Sequence, residues 1–412
     1  MDKKKCKNLI IKNIINLFAY ASVFLSNISY LIASSGGGSF NAGELIFNHI
    51  LDSYEIHFAT LNEGKENEKH LSLPLPVILY SKEQGFDIFL SSVFHHGTDK
   101  HTHDNIYKEE PAEFREKSYV SGHEVTGSLS LPPDAHAHGP YILYKNKIYI
   151  AEEGELKFDE HGKVLNKRPL DLSITKNVFG VFLAMGILLW LFLSASRSYR
   201  LRGLSAPKGA AAILEPLILF IRDEIAKPSI GMKYEKFMPY LLTLFFFILI
   251  CNLLGLIPFI GGFNITGNIA VTLTLAAFTF LIISFNGKSA YWAHIFWPPG
   301  VPKWLYPLFI PIEIIGVFNK PIVLMLRLFA NITAGHIIIL SFVCLIFIFY
   351  ALFGLAIGYG ISLLSMIFSI FMNLLELLVA FLQAYVFTLL SALYIGQALE
   401  EHHQTEEAHS IH

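Results

Sequence analysis

Long apolar runs separated by short connectors make up most of the chain after Leu172. Each run is long enough to cross a bilayer as a helix, which takes about 17 to 25 residues. The pattern predicts five membrane-crossing helices, at residues 174–196, 237–260, 267–286, 308–350 and 356–398. The last two exceed one perpendicular crossing, so they are expected to tilt steeply or to break. Pro311 and Pro321 are the expected bend points of the fourth, and Gly358 and Gly360 indicate a tight link to the fifth.

One further segment, residues 207–227, alternates apolar and charged residues at helical spacing. Burying Glu215, Arg222, Asp223 and Glu224 together in lipid would be costly. The segment therefore favours an interfacial helix on the membrane surface over a sixth crossing.

The chain before the first apolar span has a different character. Residues 1–33 begin with lysines and continue into an apolar stretch, which predicts a signal peptide or an uncleaved signal anchor. Residues 34–170 are polar and contain short alternating runs that predict strands, with hairpins around Asn146 and Gly162. We expect a small β-rich extracytoplasmic domain there, followed by a membrane domain at residues 171–412.

Basic residues indicate the orientation of the membrane domain. They are concentrated at residues 197–236, after the first span, and at Lys288 and Lys303, after the third. The positive-inside rule places these connectors, and with them the C-terminus, in the cytoplasm. The predicted fold class is an all-α polytopic membrane protein with five crossings, an interfacial helix and a small β-rich N-terminal domain. A composition of 53% hydrophobic and 16% charged residues excludes an ordinary soluble protein.

Neither cysteines nor histidines predict a metal site. Cys6, Cys251 and Cys344 are too scattered for a disulfide framework or a thiolate cluster. Seven histidines lie within residues 95–138: His95, His96, His101, His103, His123, His136 and His138. Their spacing matches no zinc pattern, so a solvated loop is favoured and no cofactor is expected.

Arg327 is the only residue with a permanent charge within residues 321–350. An arginine at membrane depth costs roughly 2.5 to 3.5 kcal/mol on insertion scales, and it cannot escape by losing its proton. The functional interpretation is a cation that faces an aqueous cavity, a partner carboxylate or an ion path. The alternative is an arginine that extends to the interface or is paired internally for packing.

Polar residues recur at seven-residue steps on the last two predicted helices. Glu313, Lys320 and Arg327 share one face of the fourth helix, because a seven-residue step returns to within about 20° of the same direction. Asn331 shares that face, whereas His336 lies about half a turn away. On the fifth helix the series is Ser362, Ser369, Glu376 and Gln383. A buried acid such as Glu376 is the type of group that a proton relay needs.

These residues lie in stretches that resemble a known family. LMLRLFANITAGH, EIIGVFNKP before it and ELLVAFLQAYVFTLLSALYI after it resemble subunit a of the rotary F-type ATP synthases. The upstream stretch KFMPYLLTLFFFILICNLLGLIPFIGGFNITGNIAVTLTLA resembles the same family, so the likeness covers about residues 172–398.

The resemblance implies a bacterial inner-membrane stator that passes protons to and from a rotating c-ring, alongside the peripheral stalk b subunit. Arg327 would face the ring carboxylate and separate two half-channels. The outer half-channel would be lined by His336, Glu376, Asn331 and Gln383, and the cytoplasmic one by Glu313, with Lys320 on the same stripe. Some family members exchange the acid and the histidine, which implies that His336 and Glu376 face each other. The N-terminal extension is a departure from the shorter members of the family.

Two other functions remain possible from the residues alone. A stand-alone secondary transporter could use Arg327 to bind an anionic substrate, but it predicts internal repeats, and none is convincing. A membrane metalloenzyme could use the histidine-rich loop, but the ligand spacings are absent. No nucleotide-binding motif is visible, so the chain is expected to be non-catalytic on its own, and no nucleic-acid partner is expected. Both H⁺ and Na⁺ remain open as the coupling ion.

Overall fold

The computed structural model of the chain describes residues 50–61, 69–82, 85–95, 135–152, 155–159, 162–202, 209–257, 262–297 and 302–399, together with residues 43 and 46. The predicted signal segment, residues 1–33, lies outside them. The chain forms two compact units. One comprises Asp52–His57 and Leu71–Lys176 and is rich in strands, and the other contains the helices that follow from Asn177.

The strand-rich unit contains short antiparallel sheets. The elements before the first long helix, of which β1 and β2 extend partly into the other unit, are β1 (Glu55–Leu61), β2 (Lys69–Pro74), β3 (Pro76–Ser81), β4 (Gly85–Leu90), α1 (Ser92–His95), β5 (Ala135–His138), β6 (Tyr141–Tyr144), β7 (Lys147–Ile150) and β8 (Leu170–Asp171). The sheets have the strand orders β1-β2, β4-β3-β8 and β5-β6-β7. The predicted hairpin around Asn146 is confirmed, since Lys145 and Asn146 both have positive φ between β6 and β7. The one around Gly162 is reduced to a single bridge between Phe158 and Val164.

Alternate side chains of β3 point into the core of this unit. Val77 and Leu79 point inwards and are fully buried, next to Phe94, Tyr141 and Ile148. The Tyr141 hydroxyl donates a hydrogen bond of 2.7 Å to Asp87. Burial, and then this bond to a carboxylate, raise the pKa of Tyr141 to about 12. Its phenol is therefore a neutral donor at physiological pH.

The helical unit has the predicted number of membrane-crossing segments. Its elements are α2 (Lys176–Arg202), α3 (Ala210–Phe220), a π-helical segment (Ile221–Ala226), α4 (Lys227–Ile230), a 3₁₀ turn (Gly231–Lys233), α5 (Tyr234–Gly255), α6 (Ile269–Asn286), α7 (Ser289–Phe296), α8 (Tyr306–Phe353) and α9 (Leu355–Leu399). Five helical segments among the described residues are long and apolar enough to cross a membrane. This confirms an all-α polytopic fold with small N-terminal sheets.

The predicted interfacial helix corresponds to α3, the π-helical segment and α4. Its inner side is apolar, with Ile221, Ile225 and Ala226 fully buried. Its outer side carries Asp223, which pairs with Arg222 at 2.9 Å and with Lys227 at 2.7 Å. The apolar side packs into the protein core and the charged side stays exposed, and a position at the membrane surface stays a prediction. At Gly231 the φ angle is 73°, and the chain turns there into α5.

The last two helices are far longer than one crossing. α8 has 48 residues and continues through Pro311 and Pro321. At 1.5 Å per residue it is about 72 Å long, more than twice the roughly 30 Å hydrocarbon core. The link to α9 is Gly354, whose φ of 78° favours glycine. The prediction of a link at Gly358 and Gly360 was therefore wrong, because both lie within α9.

α8 and α9 pack against α5 around one apolar core. Its centre contains Leu241 and Phe245 of α5, Leu328 of α8 and Phe387 of α9, all fully buried. α9 also approaches the backbone of α4 so closely that a Cβ atom at Gly396 would overlap the Ser229 carbonyl oxygen. This packing fixes the register in which the polar residues of α8 and α9 meet.

Candidate functional site

Three polar pairs connect α8 and α9 along their length. The Lys320 ammonium donates to Gln397 Oε1 at 3.1 Å. The Asn331 amide donates to Gln383 Oε1 at 2.9 Å. His336 Nδ1 lies 3.5 Å from Glu376 Oε1. Residue numbers rise on one helix as they fall on the other, so the helices are antiparallel, and the pairs extend over about 24 Å of α8.

The His336–Glu376 pair is the most deeply buried of the three polar pairs, which together form a seam between α8 and α9. The Glu376 side chain is 4% exposed and that of His336 is 18% exposed. Neither carboxylate oxygen of Glu376 has a hydrogen-bond partner among the described residues. Polar atoms this deep are normally satisfied by protein or ordered water. The carboxyl group is thus placed to exchange a proton with an imidazole on the facing helix.

Two glycines make room for this pair. A Cβ atom at Gly335 of α8 would lie 2.9 Å from Glu376 Oε1. A Cβ atom at Gly255, at the end of α5, would lie 3.4 Å from His336 Nε2. Both distances are shorter than or at the edge of ordinary contact, so a side chain at Gly335 would displace the acid.

Asn252 and Thr266 extend the polar region, and the sequence analysis missed both. The Asn252 amide donates to the Ala380 carbonyl oxygen at 3.0 Å, and its oxygen accepts from the Thr266 hydroxyl at 2.6 Å. Ala380 is one turn after Glu376 on α9. The signal available in the sequence was one amide within the apolar run ILICNLLG, which by itself is typical of a helix-packing contact.

Other buried polar atoms also lack a hydrogen-bond partner within the described part of the chain. Gln383 Nε2 and Thr333 Oγ1 have no hydrogen bond among the described residues, and neither has Asn264 Oδ1. Gln383 belongs to the Asn331 pair, and Thr333 lies between Asn331 and His336 on α8. Unsatisfied polar atoms are therefore concentrated on α8 and α9 around the His336–Glu376 pair.

Arg327 has a different environment from the buried Glu376 carboxyl group. It lies on α8 between the Lys320 and Asn331 pairs, and its side chain is exposed. No hydrogen bond or ion pair joins it to any residue that the structure describes. Its exposed neighbours on the helix include the apolar side chains of Ile322 (45% exposed) and Leu326 (47% exposed) and the amide of Asn331, while Leu328 is buried behind them. The guanidinium is therefore an exposed cation among apolar side chains and one amide on a candidate membrane helix.

Glu313 and Lys320 occupy the first part of α8, and both are half-buried. The Lys320 ammonium also lies 5.1 Å above the Tyr394 ring of α9, in a cation–π contact. The structure therefore pairs Lys320 with α9, and neither Glu313 nor Arg327 belongs to the three pairs. Gln397 and Tyr394 are further partners that the sequence analysis did not identify.

The histidine-rich region shows no metal site where it is described. His138 of β5 packs on the Phe89 ring at 5.0 Å. Within the described ranges, no group of three His, Cys, Asp or Glu side chains could hold a metal ion. His96, His101, His103 and His123 lie outside those ranges, as does the side chain of His95.

Comparison with known proteins identifies the part of the chain that contains these pairs. The model of the ATP synthase A chain family matches residues 178–396, and a domain of unknown function (DUF8433) matches residues 45–172. ATP synthase subunit a 2 of Chlorobaculum tepidum is 43% identical over 302 residues, which is 71% of this chain and 82% of that relative. ATP synthase subunit a of Chloroherpeton thalassium is 46% identical over 271 residues, 63% of this chain and 78% of that protein.

A relative from another bacterium shows the same likeness. ATP synthase subunit a of Myxococcus xanthus is 41% identical over 266 residues, which is 61% of this chain and 83% of that protein. The family match begins in α2 and ends in α9. It therefore includes Arg327 and every residue of the three polar pairs except Gln397. The chain belongs to the ATP synthase A chain family.

Proposed function

We propose that this chain is the ion-translocating stator subunit in the membrane sector of a bacterial F-type ATP synthase. It would load and unload carboxylates on a ring of c subunits and thereby couple ion flow to rotation. The observation that carries the proposal is the exposed guanidinium of Arg327, which has no partner among the described residues and lies on the same membrane helix as His336 of the His336–Glu376 pair. Family membership supports the role in ATP synthase.

The role of Arg327 follows from its permanent charge. A guanidinium does not lose its proton in a protein, so it is a fixed positive centre. An ionised acid on a neighbouring rotor can face Arg327, whereas only a neutral acid can turn into the lipid at acceptable cost. A fixed cation between two aqueous paths therefore blocks direct leakage between them. Each charge that crosses contributes about 2.3 kcal/mol per 100 mV of membrane potential.

One path would use the seam between α8 and α9. His336 and Glu376 would pass a proton between them, and Asn331 and Gln383 would connect this pair to the surface near Arg327. The 3.5 Å separation of His336 and Glu376 and the 2.9 Å bond between Asn331 and Gln383 support this order. Asn252 and Thr266 would extend the polar lining of the same path. We place its opening on the extracytoplasmic side.

The second path would use the first part of α8, where Glu313 and Lys320 lie. The half-buried acid and amine supply polar groups on the other side of Arg327 along the helix. We place this path on the cytoplasmic side, with the strand-rich unit outside and the C-terminus inside. The partners would be the c-ring, the peripheral stalk b subunit and the other ATP synthase subunits, and ATP would be made elsewhere in the complex.

A cross-linking experiment tests the proposal. A photo-reactive amino acid at Ala330, exposed and one turn from Arg327, should cross-link to a small proteolipid in native membranes. The control is the same amino acid at Leu193 of α2, which is 67% exposed and should give no proteolipid product. Products with lipid alone at Ala330, or equal proteolipid products at both positions, would contradict the proposal.

A further inference from the structure

The sheet formed by β4, β3 and β8 has one entirely apolar outer face. The register pairs Pro76, Ile78 and Tyr80 of β3 with Leu90, Ile88 and Phe86 of β4. Tyr80 also pairs with Leu170, and the N–H groups of Leu172 and Ile174 donate to the carbonyls of Ile78 and Pro76 at 2.9 and 3.1 Å. The apolar face consists of Pro76, Ile78, Tyr80, Phe86, Ile88, Leu90, Leu170, Leu172 and Ile174.

Several of these side chains are strongly exposed. Ile88 is 71% exposed, Phe86 67% and Leu170 59%. The opposite side of the same sheet is the one that builds the core, through Val77 and Leu79. A sheet with one solvated face normally carries polar residues there. The apolar face contains no charged residue, which is typical of an interaction surface.

The chain itself indicates what covers this face. The extended segment that begins with β8 continues to Lys176, whose N–H donates to the Ser53 carbonyl at 2.8 Å. Lys176 is also the first residue of α2, a candidate membrane span. The six steps from Leu170 to Lys176 cover at most about 20 Å of extended chain. The apolar face is therefore joined to a candidate membrane span by a short stretch of its own sheet strand.

We propose that the apolar face docks on the lipid surface beside the start of α2. Burial of apolar side chains at the boundary between headgroups and acyl chains drives the contact, with Tyr80 at a depth that suits an amphipathic ring. Because the face has no basic residue, the contact depends neither on anionic lipid nor on salt. This inference requires only that α2 spans the membrane, and it is independent of the proposed ion path.

Lipid-quenching measurements on the full chain test the inference. Cys6, Cys251 and Cys344 are replaced by Ser or Ala, and a fluorescent label is attached to Ile88→Cys or, as the control, to the exposed position Lys163→Cys. The protein is reconstituted in phosphatidylcholine vesicles containing lipid with a quencher near the headgroup. The label at position 88 should lose most of its emission, and the label at position 163 should not.

If the apolar face is exposed to water or covered by another protein surface, the measurements give different results. Equal quenching of both labels by aqueous iodide in vesicles would overturn the inference. So would protection of position 88 only after other ATP synthase subunits are added, or spin–spin coupling between two copies labelled there. A second variant, Ile88→Glu, should expose a label at Leu172→Cys to iodide without changing the near-UV circular dichroism. Quenching that appears only with anionic lipid would also contradict the apolar mechanism.

Discussion

The side chains of His336 and Glu376, forty residues apart in the sequence, approach to 3.5 Å between two antiparallel membrane helices. The imidazole belongs to α8 and the carboxyl group to α9, and the acid has no hydrogen-bond partner among the described residues. An acid and an imidazole within reach of each other can exchange a proton without moving either helix. This pair is the chemical centre of the path that we propose.

Exchanging the two residues tests whether the pair acts as a unit. His336→Glu alone places two acids together, and Glu376→His alone places two imidazoles together, so each should lower passive proton conduction through the membrane sector. The double variant restores one acid and one imidazole and should recover part of the flux. Dye-quenching assays in inverted vesicles measure it. A double variant no better than the single ones would count against the relay.

Gly335→Ala should impair ion conduction through a steric effect on Glu376. Its new methyl group would lie 2.9 Å from Glu376 Oε1, so the carboxyl group must shift away from His336. Gly316→Ala is the matched control, because no atom lies within 4 Å of a Cβ there and Gly316 belongs to the same helix. We expect slower proton flux for the first variant only, with both assembled normally. Equal flux in both would show that the position of the acid is unimportant.

Gly396→Ala should destabilise the contact between α9 and α4. The added Cβ would overlap the Ser229 carbonyl oxygen, and backbone cannot rotate away as a side chain can. Overpacking of this type costs roughly 1 to 3 kcal/mol. Gly360→Ala in the same helix meets no neighbour within 4 Å and should leave the unfolding temperature in detergent unchanged. Unchanged thermal unfolding of Gly396→Ala would mean that the helices are less tightly packed than described.

Tyr141 gives the strand-rich unit a dependence on alkaline pH. Burial and the bond to Asp87 raise its pKa from 10.0 to about 12. The unfolded chain therefore loses this proton first, so the stabilisation is complete below pH 10 and is lost as the pH rises towards 12. Tyr141→Phe removes the group, so near-UV circular dichroism should decline less steeply over this interval, after a loss of about 1 kcal/mol at neutral pH. An unchanged alkaline transition would contradict this assignment.

The sequence predicted the crossing helices well and the contacts between them poorly. The length of an apolar run is enough to locate a membrane helix, because a backbone in lipid must satisfy its own hydrogen bonds and a helix does so. The seven-residue steps predicted which side of α9 carries Glu376 and Gln383, and both are buried. Lys320 and Gln397 are 77 residues apart, so only the packing of two helices reveals that they bond. The link at Gly354 was missed because its positive φ depends on the geometry of the connection.

In the strand-rich unit, too, local structure could be predicted and long-range contacts could not. Asn146 predicts a hairpin locally because asparagine tolerates positive φ. The apolar face could not be predicted, because β8 pairs with β3 across about ninety residues of sequence. The domain boundaries at residues 33 and 170 and the roles of the ion-path residues remain predictions.

Gradient-driven ATP synthesis by the complex carrying Arg327→Ala tests the central claim most directly. The control is Arg222→Ala, which removes an exposed arginine that pairs with Asp223. Both complexes should assemble, and an imposed proton gradient in reconstituted vesicles should drive normal synthesis in the control. With Arg327→Ala we expect no synthesis, because the fixed cation between the two paths is lost. Normal synthesis by that variant would contradict the account.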